Sequence, residues 1–181
     1  MISKLTEMFA EKKNRDLAML AGGAATLMAG GKLSSLALMV GGMKGLEDEW
    51  RKDHPEFRGS LKERFAIAID FYDETHQDPT NRVLHTVGIP MILGGFVGML
   101  VAPRYSAPWW ASNGSWTLGW TLNFVGHGAF EKGGPAFASD PLSVVAGPVW
   151  DFIRLRERLF GGAQGEATAE PPASEAAAAH L

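Results

Sequence analysis

Three histidines in two short polar patterns are the residues best placed to do chemistry. His76 and His85 lie in the stretch from Tyr72 to His85, with Pro79 and Asn81 between them. His127 follows Asn123 and Gly126 and precedes Glu131 and Lys132. Each pattern sits at the edge of an apolar stretch, where an imidazole or carboxylate is costly to bury without a partner. A bound metal is an economical partner and brings a chemistry with it. Nitrogen and oxygen ligands without sulfur suit Fe(II), Zn(II) or Mn(II), and the residues alone do not choose among them. The same residues also have structural uses: His76 and Asn81 as helix caps, His85 in an interhelical hydrogen bond, and Glu131 and Lys132 as an interfacial ion pair.

Local geometry favours convergence. Leu61, Phe65, Ile67, Ala68, Phe71 and Tyr72 recur at roughly helical spacing. Asp78 and Pro79 should end that helix and start the next, with Asp78 or Thr80 as cap. His76 then closes one helix, and His85 stands about two turns into the next, on the face of Asn81. Pro90 removes an amide one turn beyond His85 and predicts a kink there. His127 and Glu131 share a face in the last turns before Gly133, Gly134 and Pro135 stop their helix. If the two helices run antiparallel, His85 and His127 lie at similar depth, and His76 reaches the same place from the turn.

Four apolar segments must carry these helices: Leu17 to Gly31, Leu33 to Met43, Val83 to Ala102 and Trp116 to Phe130. A spanning helix needs about 20 mostly apolar residues, and the third and fourth segments meet or approach that length. The first two are short and Gly-rich. They read as a re-entrant or interfacial helical hairpin, or as one imperfect span containing Lys32. A buried soluble core is the competing reading of all four. Basic residues cluster before the first pair, between the pairs and after the last span, whereas the connection from Pro103 to Ser115 has only Arg104, with Trp109 and Trp110. The positive-inside rule and the aromatic belt place that connection outside and the histidines near the cytoplasmic face.

The rest of the composition narrows the field. The net charge of −3 gives no sign of nucleic-acid binding. The absence of cysteine excludes disulfides, thiolate metal sites and a cysteine nucleophile. A mean hydropathy of −0.03 averages polar ends against the apolar segments. The first residues mix acids and bases and do not make a convincing signal peptide, so they are expected to be retained. Residues 161–181, rich in Ala, Glu, Pro and Gly, are expected to be disordered, His180 with them. His54 sits among charged residues and needs no function. The expected fold is all-α: a small helical membrane protein of antiparallel spanning helices with a Gly-rich N-terminal hairpin. It divides into 1–60 (hairpin and charged linker), 61–160 (histidine-motif membrane domain) and 161–181 (tail).

The two motifs resemble the small membrane-protein family that includes the fungal 2-hydroxy-fatty-acid dioxygenase of α-oxidation. The resemblance falls on Tyr72, His76, Pro79, Asn81, His85, Gly88, Pro90, Phe124, Gly126, His127, Phe130, Glu131, Lys132, Pro135 and Ala136, and extends over roughly Leu61 to Gly161. The fungal members carry extra spanning helices between the motifs, and the family has basic residues where Gly133 and Gly134 stand. The resemblance implies Fe(II)-dependent, O2-consuming shortening of a 2-hydroxy fatty acid by one carbon, with membrane lipid as surroundings. It implies His76, His85 and His127 as ligands. Glu131 would be a fourth ligand or would orient a histidine, Asn81 would orient His85 or His76, and Tyr72 and Lys132 would hold the substrate carboxylate. A non-catalytic membrane module with a structural metal, and a zinc lipid hydrolase using Glu131 as base, are the alternatives. The clustered histidine boxes of di-iron membrane hydroxylases are absent.

Overall fold

The computed structural model describes residues 11–160, and these are all-α, without a strand. The expectations for the first residues and for 161–181 lie outside the described residues. Six α-helices follow in order: α1 Lys12–Met28, α2 Lys32–Asp53, α3 Leu61–Glu74, α4 Pro79–Val101, α5 Ala107–Val125 and α6 Ser143–Phe160. A π-helical turn, Gly126–Glu131, continues α5, and a short 3-10 turn, Ala136–Ala138, precedes α6.

The two hairpins form from local signals. Gly30, at φ 88, makes the tight turn between α1 and α2, a backbone region glycine enters without steric cost. Asp78 caps α4 by accepting from Thr80 N at 2.7 Å and Asn81 N at 3.1 Å, with Pro79 in the first turn, as the sequence predicts. Ser106 caps α5 through Trp109 N at 3.4 Å. α4 runs as one helix through the exposed Pro90. It packs along α5, and α1 along α2. Gly95 and Gly119 allow the closest approach of α4 and α5: a Cβ on Gly95 would stand 2.6 Å from Ser112 O, and one on Gly119 2.6 Å from Gly88 O.

The hairpin tips meet at one end. Lys32 Nζ donates to Ala102 O at 2.6 Å, Asn113 Nδ2 to Met28 O at 3.1 Å, and Arg104 to Ala29 O at 2.9 Å. Leu27, Ile92, Met99, Ala102, Trp109 and Trp116 form the apolar core there. At the other end α6 lies on α3, and Tyr72, Ala136 and Trp150 make a second, smaller cluster.

α3 buries only part of the face its hydrophobic spacing suggests, and adds a charged residue to it. Arg64, Ala68 and Tyr72 point inward, while Leu61 and Ile67 are exposed. Arg64 decides this, because its partners lie inside. It donates to both carboxylate oxygens of Asp140 at 2.8 and 2.7 Å, pairs with Glu47 of α2 at 3.1 Å, and lies 3.6 Å above the Trp50 ring. Such a bidentate, stacked guanidinium can be buried because its donors are satisfied.

Among the described residues, only α4 is long and apolar enough to cross a membrane. α5 has no charged residue, but its Ser, Thr and Asn side chains dilute its hydropathy. Val83, Val87, Leu93, Val97 and Val101 form an exposed apolar stripe along α4.

Candidate metal centre

The three histidines of the sequence patterns converge, each from a different element. His76 ends the turn after α3, His85 stands on α4, and His127 on the π-helical turn. Their ring centroids lie 4.7 Å (His76 to His85), 4.7 Å (His76 to His127) and 4.8 Å (His85 to His127) apart, with each ring nearly perpendicular to the others. All three are buried, and one nitrogen from each lies within 4.8 Å of the others.

The backbone sets the tautomers. A carbonyl oxygen can only accept, so His76 Nδ1 donates to Tyr72 O at 2.7 Å and His85 Nδ1 donates to Asn81 O at 3.0 Å. Each bond leaves Nε2 as the lone-pair atom. His76 Nε2 is buried with no hydrogen-bond partner in the protein. Burial, with His85 next in weight, pushes the His76 imidazole down to about 3, so it stays neutral near pH 7. A neutral imidazole whose far nitrogen is tied to a carbonyl is the form in which histidine binds a metal. The residues therefore fit a divalent cation.

The remaining predicted residues take distinct places. Glu131 Oε1 accepts from Asp78 N at 2.7 Å and from Asn81 Nδ2 at 3.2 Å, tying the end of the π turn to the start of α4. Asn81 is fully buried, and its Oδ1 has no partner. Gly126 is needed opposite it: a Cβ there would stand 2.1 Å from that oxygen. Tyr72 stacks on His76 at 3.7 Å and meets His85 edge-on at 6.4 Å. Its hydroxyl reaches Asp151 at 3.5 Å, and burial together with that carboxylate pushes its pKa up, so it remains a donor. Lys132 is exposed and in the left-handed region, φ 56, and Gly133 N returns to His127 O at 3.2 Å to close the turn. The left-handed stop thus falls on Lys132, one residue before the glycines.

Three features escaped the sequence reading. The π turn has no residue signature, although such turns concentrate at functional sites. Arg82 donates through Nε to His76 O and pairs with Asp73 at 3.8 Å, bracing the turn that carries His76. Gly147 and Trp150 of α6 pack behind Tyr72: a Cβ on Gly147 would reach 2.6 Å from the Tyr72 ring. The glycine among apolar residues of α6 was the available signal.

Residues 62–159 match the model of the Mpo1-like family, described as 2-hydroxy-palmitic acid dioxygenase Mpo1-like. No curated protein and no solved structure gives a significant match. With more than half of its length in that match, the chain belongs to the Mpo1-like family.

Proposed function

We propose that this member of the Mpo1-like family is a membrane-embedded dioxygenase that shortens 2-hydroxy fatty acids by one carbon, with Fe(II) held by His76, His85 and His127. The observation that carries the reading is the buried triad, with two imidazoles locked by main-chain carbonyls into the ligating tautomer. The family match supports the substrate class and O2 as co-substrate. When bound, iron supplies the one-electron chemistry that ground-state O2 requires.

The chain's own residues do the rest. Three protein ligands leave other positions of a metal open to exogenous groups. Glu131 and Asn81 hold the start of α4 against the π turn, which fixes His85 relative to His127. Tyr72, stacked on His76, keeps that ring in place and shields it from water. The exposed Lys132 suits the substrate carboxylate. The 23 residues of α4 span ~34 Å, which matches a bilayer core of about 30 Å. Its exposed apolar stripe suits contact with lipid, so the acyl chain can stay in the bilayer while the hydroxy-acid head reaches the triad. The zinc-hydrolase alternative is less well supported, because two donors at Glu131 Oε1 suit an orienting group better than a water-activating base.

The test is O2 uptake by detergent-purified protein loaded anaerobically with Fe(II), on adding a long-chain 2-hydroxy fatty acid. Uptake with the hydroxy acid, absent with the non-hydroxylated acid and in His127→Ala, is expected. Iron-loaded protein that consumes no O2 with the hydroxy acid would remove the substrate assignment.

A further inference from the structure

We infer that Asn123 reads the substrate's 2-hydroxyl and sets the preference for hydroxylated over plain fatty acids. The inference rests on the dioxygenase reading and assigns a role to a residue that it left unused.

Asn123 stands four residues before His127, so it lies on the same side of its helix, about 6 Å along the axis. His127 sits on the π turn that continues α5, at the end away from the hairpin tips, which places Asn123, still on α5, on the bundle-interior side of it. Asn81 bears the same four-residue relation to His85. Because α4 and α5 are antiparallel, Asn81 flanks the triad on the opposite side. The two carboxamides thus bracket the three imidazoles.

Asn123 is only 7% exposed, and its Oδ1 is buried with no donor from the protein. The space it occupies is provided by Gly88, three residues past His85: a Cβ there would fall 2.3 Å from Oδ1 and 2.9 Å from Gly119 O. The tight crossing of Gly88 and Gly119 thus holds the Asn123 carboxamide oxygen among groups that cannot donate to it. A buried acceptor without a donor is costly, so the site favours a ligand that brings one. The headgroup of a 2-hydroxy acid, ionised at neutral pH, carries one O–H donor, the hydroxyl; its carboxylate only accepts. The plain fatty acid brings no donor at this position. A site built to hydrogen-bond a hydroxyl rejects the analogue that lacks it, because the site's own polar atom is left unpaired.

The experiment is equilibrium binding without turnover. Full-length protein in detergent is loaded with Zn(II), which is redox-inactive, and titrated with 2-hydroxyhexadecanoic acid and with hexadecanoic acid. Wild type should prefer the hydroxy acid by tenfold or more. Asn123→Leu, which fills similar volume without an acceptor, should bring that ratio close to one, mainly by weakening the hydroxy acid. Asn123→Ala provides a second route to the same outcome if the leucine disturbs the crossing, and Zn(II) stoichiometry checks that each variant keeps its site. Variants that hold zinc and retain the wild-type ratio, or weaken both acids equally, would overturn the role of Asn123 and leave the dioxygenase reading standing. Wild type that binds the two acids equally would also overturn the role of Asn123, whereas failure of the dioxygenase reading shows separately as no O2 uptake by the iron-loaded protein.

Discussion

At the far end of the bundle, Lys32, Asn113 and Arg104 each donate to a main-chain carbonyl across the gap between hairpins. At the near end His76 Nε2, Asn81 Oδ1 and Asn123 Oδ1 are buried with no donor facing them. The same antiparallel helices carry both ends, so topology does not account for the difference. The far end uses cations and amide N–H groups to cover carbonyls that a turn leaves bare, and the pairs are closed. The near end presents lone pairs, three of them imidazole nitrogens in one cluster. Trp109 Nε1 at the far end is also unpartnered, but it is a donor and cannot ligate a cation. The contrast is between polar groups that pair within the fold and polar groups that the fold leaves unpaired.

The comparison breaks most sharply at the triad. His127→Ala should abolish metal binding and lower O2 uptake by at least ~100-fold, beyond the range seen for groups that only orient ligands. Circular dichroism should show the helices retained. Arg64→Leu tests a closed group near the open site. It strands Asp140 in the interior, and breaking a buried pair costs about 3–5 kcal/mol, read as a drop in denaturant midpoint in detergent. Glu131→Gln sharpens the distinction between ligand and orienting group: metal affinity measured by chelator competition should fall about 10–100-fold. A total loss would make Glu131 a fourth ligand.

Acidity supplies a gradual effect. His76 titrates lower folded than unfolded, so the unfolded chain binds more protons between its ordinary value and about 3. Stability of the metal-free protein is therefore full above about pH 6.5 and declines as pH falls toward 3, by at most ~1.4 kcal/mol per pH unit from this group. An acid titration of unfolding in wild type and His76→Asn measures it. The smallest effect belongs to the far end. Lys32→Met should cost about 1 kcal/mol of stability and leave metal binding and O2 uptake unchanged.

Much of the near end was legible because its residues obey helical arithmetic. Asp78 and Pro79 announce a helix start, four-residue spacing aligns Asn81 with His85, and antiparallel running brings His127 to the same depth. The Gly-rich hairpin was legible for the same reason. What stayed hidden depends on partners distant in sequence. The inward turn of Arg64 required Asp140, 76 residues away; of the hydrophobic set it left Ala68 and Tyr72 buried beside it and Leu61 and Ile67 exposed. The π turn that carries His127 arises from closure onto Lys132 and Gly133, which local propensity reads only as a helix stop. Tip-to-tip bonding of the hairpins, through Lys32 and Ala102, is likewise a long-range fact that spacing does not encode.

The most direct measurement is the metal content of the purified full-length protein, by elemental analysis, for wild type and for the single alanine variants of His76, His85 and His127. The account predicts one divalent ion per chain in wild type, loss in each of the three variants, and retention in Lys32→Met. A wild-type protein that takes up no metal, or a His85→Ala protein that keeps a full equivalent, would contradict it.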